Sequence, residues 1–277
     1  TSQPSAATLA EARKTWLAAR EFYGQTEAFR FYGGPIDNDN GPEGRINAWP
    51  MDESFVDSVQ GKASAGLVNN RKFVINKKNL SAQNERGGVV TELLIDDLTS
   101  LVKAWAPDVK NNYRARFVKG IRESLRKMLV GLGSLSRGEL AGERLEVALN
   151  SQDQEDEHSC FSDNTHRDAV TNAKGIQNVW LGKYQQADGT VLMGPSLSDL
   201  VAAKDAALAE KTTQQIAASV AATEGIQAPF DREIIGGKEA PGRQRIQKAI
   251  DSLTQQSKDL VAAANAIGIT KLTLVQP

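Results

Sequence analysis

Residues 152–168, QDQEDEHSCFSDNTHRD, contain both histidines of the chain, His158 and His166, and its one cysteine, Cys160. Glu155 and His158 form Glu-x-x-His; Asp163 and His166 form Asp-x-x-His. Residues three apart share one face of a helix, and helical bundles that bind two iron ions draw Glu-x-x-His pairs from two helices. Here both pairs are neighbours in one stretch. On one continuous helix His158 and His166 would lie about 12 Å apart along the axis. Metal–imidazole bonds are about 2 Å long, so a shared ion requires the chain to turn between them. Ser162, Asp163 and Asn164 are residue types that end one element and cap the next. A turn is therefore expected at 162–164, with His166 in the first turn of a new helix that carries Val170, Ala173, Ile176 and Trp180 on one stripe. The plainer alternative is a polar segment whose histidines are solvated or bonded to capping groups. Cys160 is expected to be a packing residue rather than a nucleophile. His-Glu-x-x-His, Gly-x-Ser-x-Gly and a phosphate-binding glycine loop are all missing from the sequence. Residues 131–142, GLGSLSRGELAG, read as a flexible or closely packed turn.

Helices must position these residues. Apolar or aromatic side chains recur at helical spacing from Leu9 to Tyr23, from Val90 to Trp105 with Pro107 as a stop, and from Ile246 to Ile267. Residues 197–220 are rich in strong helix formers. Only RKFVIN around residue 73 and the closing KLTLVQP suggest strands. The fold class is therefore all-α, with two helical-bundle halves of the four-helix type and long irregular loops. We place an N-terminal helical domain at 1–118 and a C-terminal bundle at 119–277. The glycine- and proline-rich stretch 31–53 is too long and too rich in aromatic and charged groups for a simple linker.

With 277 residues and 24% charged side chains the chain can bury a sizeable core. A net charge of −1 gives no signature of nucleic acid or of an anionic membrane surface. No apolar run approaches the roughly 20 residues of a membrane span, and the small, polar opening TSQPSAATL reads as a tail left by processing or by trimming of a longer chain.

Several longer segments resemble one family. TEAFRFYGGPID (26–37) and EGRINAWPMDE (43–53) are similar to the opening of imelysin-like proteins. DDLTSLVKAWAP (96–107), LSRGELAGERLEVAL (135–149) and QEDEHSCFSDNTHRD (154–168) resemble their iron-regulated, insulin-cleaving branch. The resemblance implies a bacterial cell-envelope protein in the periplasm or at the outer membrane, exported and often a lipoprotein, with a lipid anchor outside this sequence. It implies a ligand that is a metal ion (iron or zinc) or an iron chelate, at a cleft between two helical domains. Metallopeptidase action on peptides such as insulin, or docking to an envelope protein, are the alternatives. On this resemblance His158, His166, Glu155 and Glu157 are the metal-ligand candidates. Glu27, Arg30, Asp37, Arg45, Asn47, Asp163 and Asn164 are the ligand-contact candidates. Trp49 is expected to anchor the loop, Arg144 to be structural, and Glu143 to be either structural or a further carboxylate.

The family hallmark Gly-x-His-x-x-Glu is missing: no histidine precedes His158. Its usual flanks, NERGG (84–88) and VVTELL (89–94), adjoin directly. Either the motif is deleted here or two segments of a longer chain meet between about Glu85 and Thr91, with the motif belonging to the stretch between them; the second is the expectation, because both flanks keep their family form.

Overall fold

The computed structural model describes residues 5–47, 68–69, 73–74, 83–270 and 272–274. These fall into two compact units, one of residues 1–32 with 125–277 and the other of residues 33–124. The packing thus groups the first helix with the C-terminal helices. Trp49 and the rest of 48–53 lie outside the described residues.

The larger unit is built on four long rods. The first is nearly continuous: α5 (Ile121–Ser134), a π-helical segment (Leu135–Glu146) and α6 (Val147–Ser151). The others are α7 (Thr165–Leu181), α9 (Ala206–Glu224) and α11 (Pro241–Ala266). The π segment packs on α11, α11 on α9, α9 on α7, and α7 back on the π segment, which closes a four-helix bundle. Leu135, Leu140, Leu145, Ile176, Trp180, Ile216, Ile246, Leu253 and Leu260 fill it. The Trp180 indole N–H is satisfied inside by Thr213 Oγ1 at 2.8 Å. Local signals fix the ends. Asp205 caps α9 through the Leu208 N–H at 2.9 Å, Pro241 opens α11, and Gly182, at φ +58°, closes α7. The helix-forming run 197–220 is consequently two helices, since Asp205 starts a new one after α8 (Leu197–Ala202). A short α10 (Phe230–Glu233) precedes α11.

Helix α1 (Ala6–Thr26) lies on α7 through its C-terminal part only. The expected apolar stripe from Leu9 is not core: Leu9 is 53% and Trp16 43% exposed. The contact instead runs through Gly24, whose missing side chain leaves room for Thr171, and Gly175 of α7, which abuts the Gln25 carbonyl. A Cβ on Gly175 would sit 2.3 Å from that oxygen. Alanine at an ordinary helical site improves on glycine by up to about 1 kcal/mol; here the clash reverses the sign. Gly175→Ala is expected to destabilise by about 1–3 kcal/mol, as overpacking does, read as a lower urea midpoint in equilibrium unfolding.

The smaller unit contains α2 (Glu43–Ile46), the antiparallel pair β1 (Val68–Asn69) and β2 (Phe73–Val74), α3 (Gln83–Trp105) and α4 (Tyr113–Lys119), followed by the start of α5. RKFVIN therefore does contribute a strand, though a very short one. α3 runs as one helix through residues 85–91, where two segments of a longer chain were expected to meet. Residues 272–274 of the closing segment are not strand. A hairpin the sequence did not announce, β3 (Lys183–Gln185) with β4 (Val191–Met193), follows α7 in the larger unit.

Candidate functional site

The π-helical segment sets the site. GLGSLSRGELAG was expected to be a turn; instead it is the end of α5 and the first part of the π segment, deep in the bundle, where glycine serves close packing. A Cβ on Gly131 would lie 2.8 Å from the Tyr32 ring, and one on Gly133 would lie 2.8 Å from Leu274. Buried Ser136 is held by the Leu132 carbonyl at 2.6 Å and by Gln256 Nε2 at 2.7 Å. In a 3.6-residue helix Glu139 and Arg144, five apart, would stand roughly 140° apart around the axis. A π-helix hydrogen-bonds i to i+5 and brings them together: Arg144 Nη2 donates to Glu139 Oε2 at 3.2 Å. π-helical turns concentrate at functional sites.

Arg144 is the centre of a buried ion network. Its Nη2 also donates to Glu27 Oε2 at 2.9 Å, and its Nη1 to Asn172 Oδ1. Asn172 in turn donates to the Gly24 carbonyl at 3.0 Å, tying the network to α1. Arg30 Nη1 donates to Glu27 at 3.1 Å and, at 3.5 Å, to Glu139. The i,i+3 pair Glu27–Arg30 is thus no surface salt bridge. Burial alone would raise the Glu27 pKa, but Arg144 and then Arg30 outweigh it and hold it at about 2. Burial likewise works against the Arg144 charge, and Glu27 with Glu139 more than offsets it.

The histidine segment forms a second group beside this one. α7 begins at Thr165 as expected, after Asp163 in the left-handed region (φ +50°), and His166 sits in its first turn. Asn164 occupies the N-cap position but makes no side-chain capping bond to the first turn's N–H groups; its side chain donates to Asp168 Oδ1 at 2.9 Å. Asp168, almost fully buried, also accepts from Arg20 (Nη2 at 2.9 Å, Nε at 3.3 Å) and from Ser159 Oγ. His158 Nδ1 lies 3.3 Å from Asp168 Oδ2. Burial and the nearby Arg144 push the His158 pKa down against the pull of Asp168. Burial lowers that of His166 as well, with Arg167 adding to it. Asp168 is held far below the usual carboxylate range: burial opposes this, and the bond to His158 and the charge of Arg20 prevail.

Glu157 is completely buried, with Thr165 Oγ1 donating to its Oε2 at 3.2 Å. Burial raises its pKa to about 7, and Asp231 and Asp163 add to that against the Thr165 bond. A carboxyl whose folded pKa lies above its unfolded value stabilises fully below the unfolded pKa, and the contribution is lost as pH rises through the folded one. The wild-type protein should therefore lose on the order of 2 kcal/mol between pH 5 and 8 from this group. Glu157→Gln is expected to flatten that slope, which urea titrations at the two pH values would measure.

The sequence-read candidates separate on the fold. Glu27, Arg30, Asp163 and Asn164 belong to the larger unit, with Glu157, His158 and His166. Glu155 is exposed. Asp37, Arg45 and Asn47 belong to the smaller unit. There Asp37 makes a turn by accepting the Gly33 and Gly34 N–H groups at 3.2 and 2.6 Å. Arg45 forms a two-pronged pair with Asp97 at 2.5 and 2.9 Å. Cys160 is half-buried rather than a core residue. Glu143 is half-buried; burial and its neighbour Glu139 raise its pKa. Sequence reasoning set Arg144 aside as structural and did not single out Glu139, Asp168, Arg20 or Asn172. Their partners lie up to 148 residues away, and no local pattern marks such pairs.

This donor set does not fit a metal ion. Among the described residues no group of three or more His, Cys, Asp and Glu side chains is arranged to hold one. Glu27 Oε2 and both oxygens of Asp168 accept from guanidinium groups, and the buried Arg144 cation adjoins His158.

An all-helical protein whose bundle encloses an arginine–carboxylate network on a π-helical segment is the class these features define. The chain belongs to the imelysin family, the peptidase M75 group, whose model matches residues 1–89 and 85–260. The match falls in two segments that overlap at 85–89. Iron-regulated protein A of Synechococcus elongatus (strain ATCC 33912 / PCC 7942 / FACHB-805) is 26% identical over 93% of this chain and 76% of its own length. The fold is shared with the crystal structure of an iron-regulated protein A precursor from Parabacteroides distasonis ATCC 8503. Its TM-score is 0.70 and its identity 18%, over 95% of this chain and 84% of that one.

Proposed function

We propose that this protein is an iron-linked binding protein of the bacterial cell envelope whose polar core takes iron as a chelate rather than as a bare ion. The observation that carries this reading is the Glu27–Arg144–Arg30–Glu139 network. Glu27 and Arg30 are residues that the family resemblance marked, and Glu139 and Arg144 lie on the π-helical segment. Glu27 and Glu139 each give Oε2 to both arginines, and among the described residues no group of three or more His, Cys, Asp and Glu side chains is arranged to hold a cation, whereas a chelate brings its own donors. The names of the cyanobacterial and Parabacteroides relatives supply the link to iron. The word precursor in the second supports export, to the periplasm or to the outer membrane through a lipid anchor outside this sequence. Among the described residues no helix is long and apolar enough to cross a membrane.

The family's peptidase name favours a second reading, metal-dependent peptide hydrolysis. That chemistry needs about three protein ligands, an open position for water and a base. Metal analysis of the purified protein, with insulin-cleavage assays before and after chelator, separates the two. The proposal expects no stoichiometric bound zinc or iron and no chelator-sensitive cleavage. Stoichiometric metal with cleavage abolished by chelator would overturn it.

A further inference from the structure

The two arginines of the network share two carboxylates unequally. Glu27 lies behind them, buried, at 2.9 Å from Arg144 and 3.1 Å from Arg30. Glu139 meets the same two Nη atoms at 3.2 and 3.5 Å. It is also the more exposed carboxylate, at 13% against 3%, and Arg30 beside it is 18% exposed. Glu139 thus sits on the solvent-facing side of an arginine pair, held by longer contacts, where a ligand carboxylate would bind. Charge points the same way. With both glutamates in place the quartet is neutral; without Glu139 it carries one net positive charge, in surroundings where a buried unpaired guanidinium is costly. Arg30 also lies over the Phe31 ring, whose centre is 5.7 Å from its guanidinium carbon. Arg144 is fixed by Asn172. The donors are therefore oriented before a ligand arrives, as guanidinium recognition of carboxylates favours.

We infer that Arg30 and Arg144 form a subsite for a carboxylate of the ligand, and that Glu139 is a built-in competitor which the ligand carboxylate displaces. This rests on the reading of the network as the ligand site. It narrows the ligand class to small polycarboxylates and to iron chelates that present a free carboxylate. It also makes Glu139 a residue that sets affinity by being removable.

The test is calorimetric titration of the protein with citrate and, separately, with ferric citrate, for wild type, Glu139→Gln, Glu139→Asp and Arg30→Gln. Circular dichroism and a thermal melt accompany each variant. Glu139→Gln is expected to bind citrate at least tenfold more tightly than wild type, and its melting temperature should rise on adding citrate more than that of wild type. Glu139→Asp, which keeps the charge on a shorter arm, is expected to fall between them and covers the case in which the glutamine variant does not fold. Arg30→Gln is expected to lose citrate binding by tenfold or more. Equal or weaker citrate binding by folded Glu139 variants, or no citrate binding to any of the proteins, would overturn the subsite. Citrate binding with the expected variant order but no uptake of ferric citrate would support the subsite and remove the iron reading, so the two fail separately.

Discussion

Replacing Arg144 with methionine is expected to destabilise the protein by about 3–5 kcal/mol, the usual consequence of breaking a buried ion pair from one side. Methionine fills much of the volume, so the loss is electrostatic rather than a cavity effect. Glu27 would keep only Arg30, and the Asn172 side chain would lose the guanidinium that fixes it. Adding Glu27→Gln should recover part of the loss, because the stranded carboxylate is then neutral. A double-mutant cycle by urea unfolding is expected to show a coupling of 1 kcal/mol or more, within the range of about 0.5–3 seen for contacting residues. Additive losses would mean that the two groups do not act together.

The second large effect is expected at Asp168. It collects Arg20 from α1, Ser159 and His158 from the segment before α7, and Asn164 from the start of α7. Asp168→Asn keeps the shape and removes the charge that Arg20 and His158 answer. A loss of about 2–4 kcal/mol is expected, near the range for uncoupling a buried charge, with α1 losing the Arg20 attachment to α7 and keeping the Glu21–Arg167 pair. Its pH dependence is the reverse of that of Glu157. A carboxylate whose folded pKa is depressed stabilises above its unfolded pKa of about 3.9, and that stability is lost as pH falls toward the folded value. Glu27, held at about 2, adds to the same limb. Wild type should therefore lose stability steeply below about pH 4, and Asp168→Asn should make that limb shallower. Thermal melts between pH 3 and pH 7 would measure both.

The helices were largely legible in the sequence because their signals are local. Asp163 and Asn164 marked a turn, α7 started at Thr165, and the apolar repeat from Ile246 ran the length of α11. The first element shows where periodicity misleads. The Leu9–Trp16 stripe named a helix correctly but not its buried face, because the contact with α7 is made by Gly24 and Gly175, which carry no hydrophobic signal. The hairpin at 183–193 was hidden because its strands are three residues long. The π-helical segment was missed for a different reason. Gly138 and Gly142 read as turn formers, and no 3.6-residue pattern announces a helix with wider turns. Of the candidate site, Glu27 and Arg30 were reached through the family resemblance. Arg144 lies 117 residues from Glu27, and only the fold brings them together.

The central claim is that this core holds an anionic iron chelate by arginine and not a bare ion by histidine. Equilibrium dialysis of iron-loaded citrate against wild type, Arg30→Gln and His158→Gln, beside iron or zinc supplied without chelator, tests it most directly. The account predicts saturable uptake of the chelate by wild type and at least a tenfold weaker uptake by Arg30→Gln. It predicts no uptake of free metal that depends on His158. Free-metal binding abolished by His158→Gln, with chelate uptake indifferent to Arg30, would contradict it.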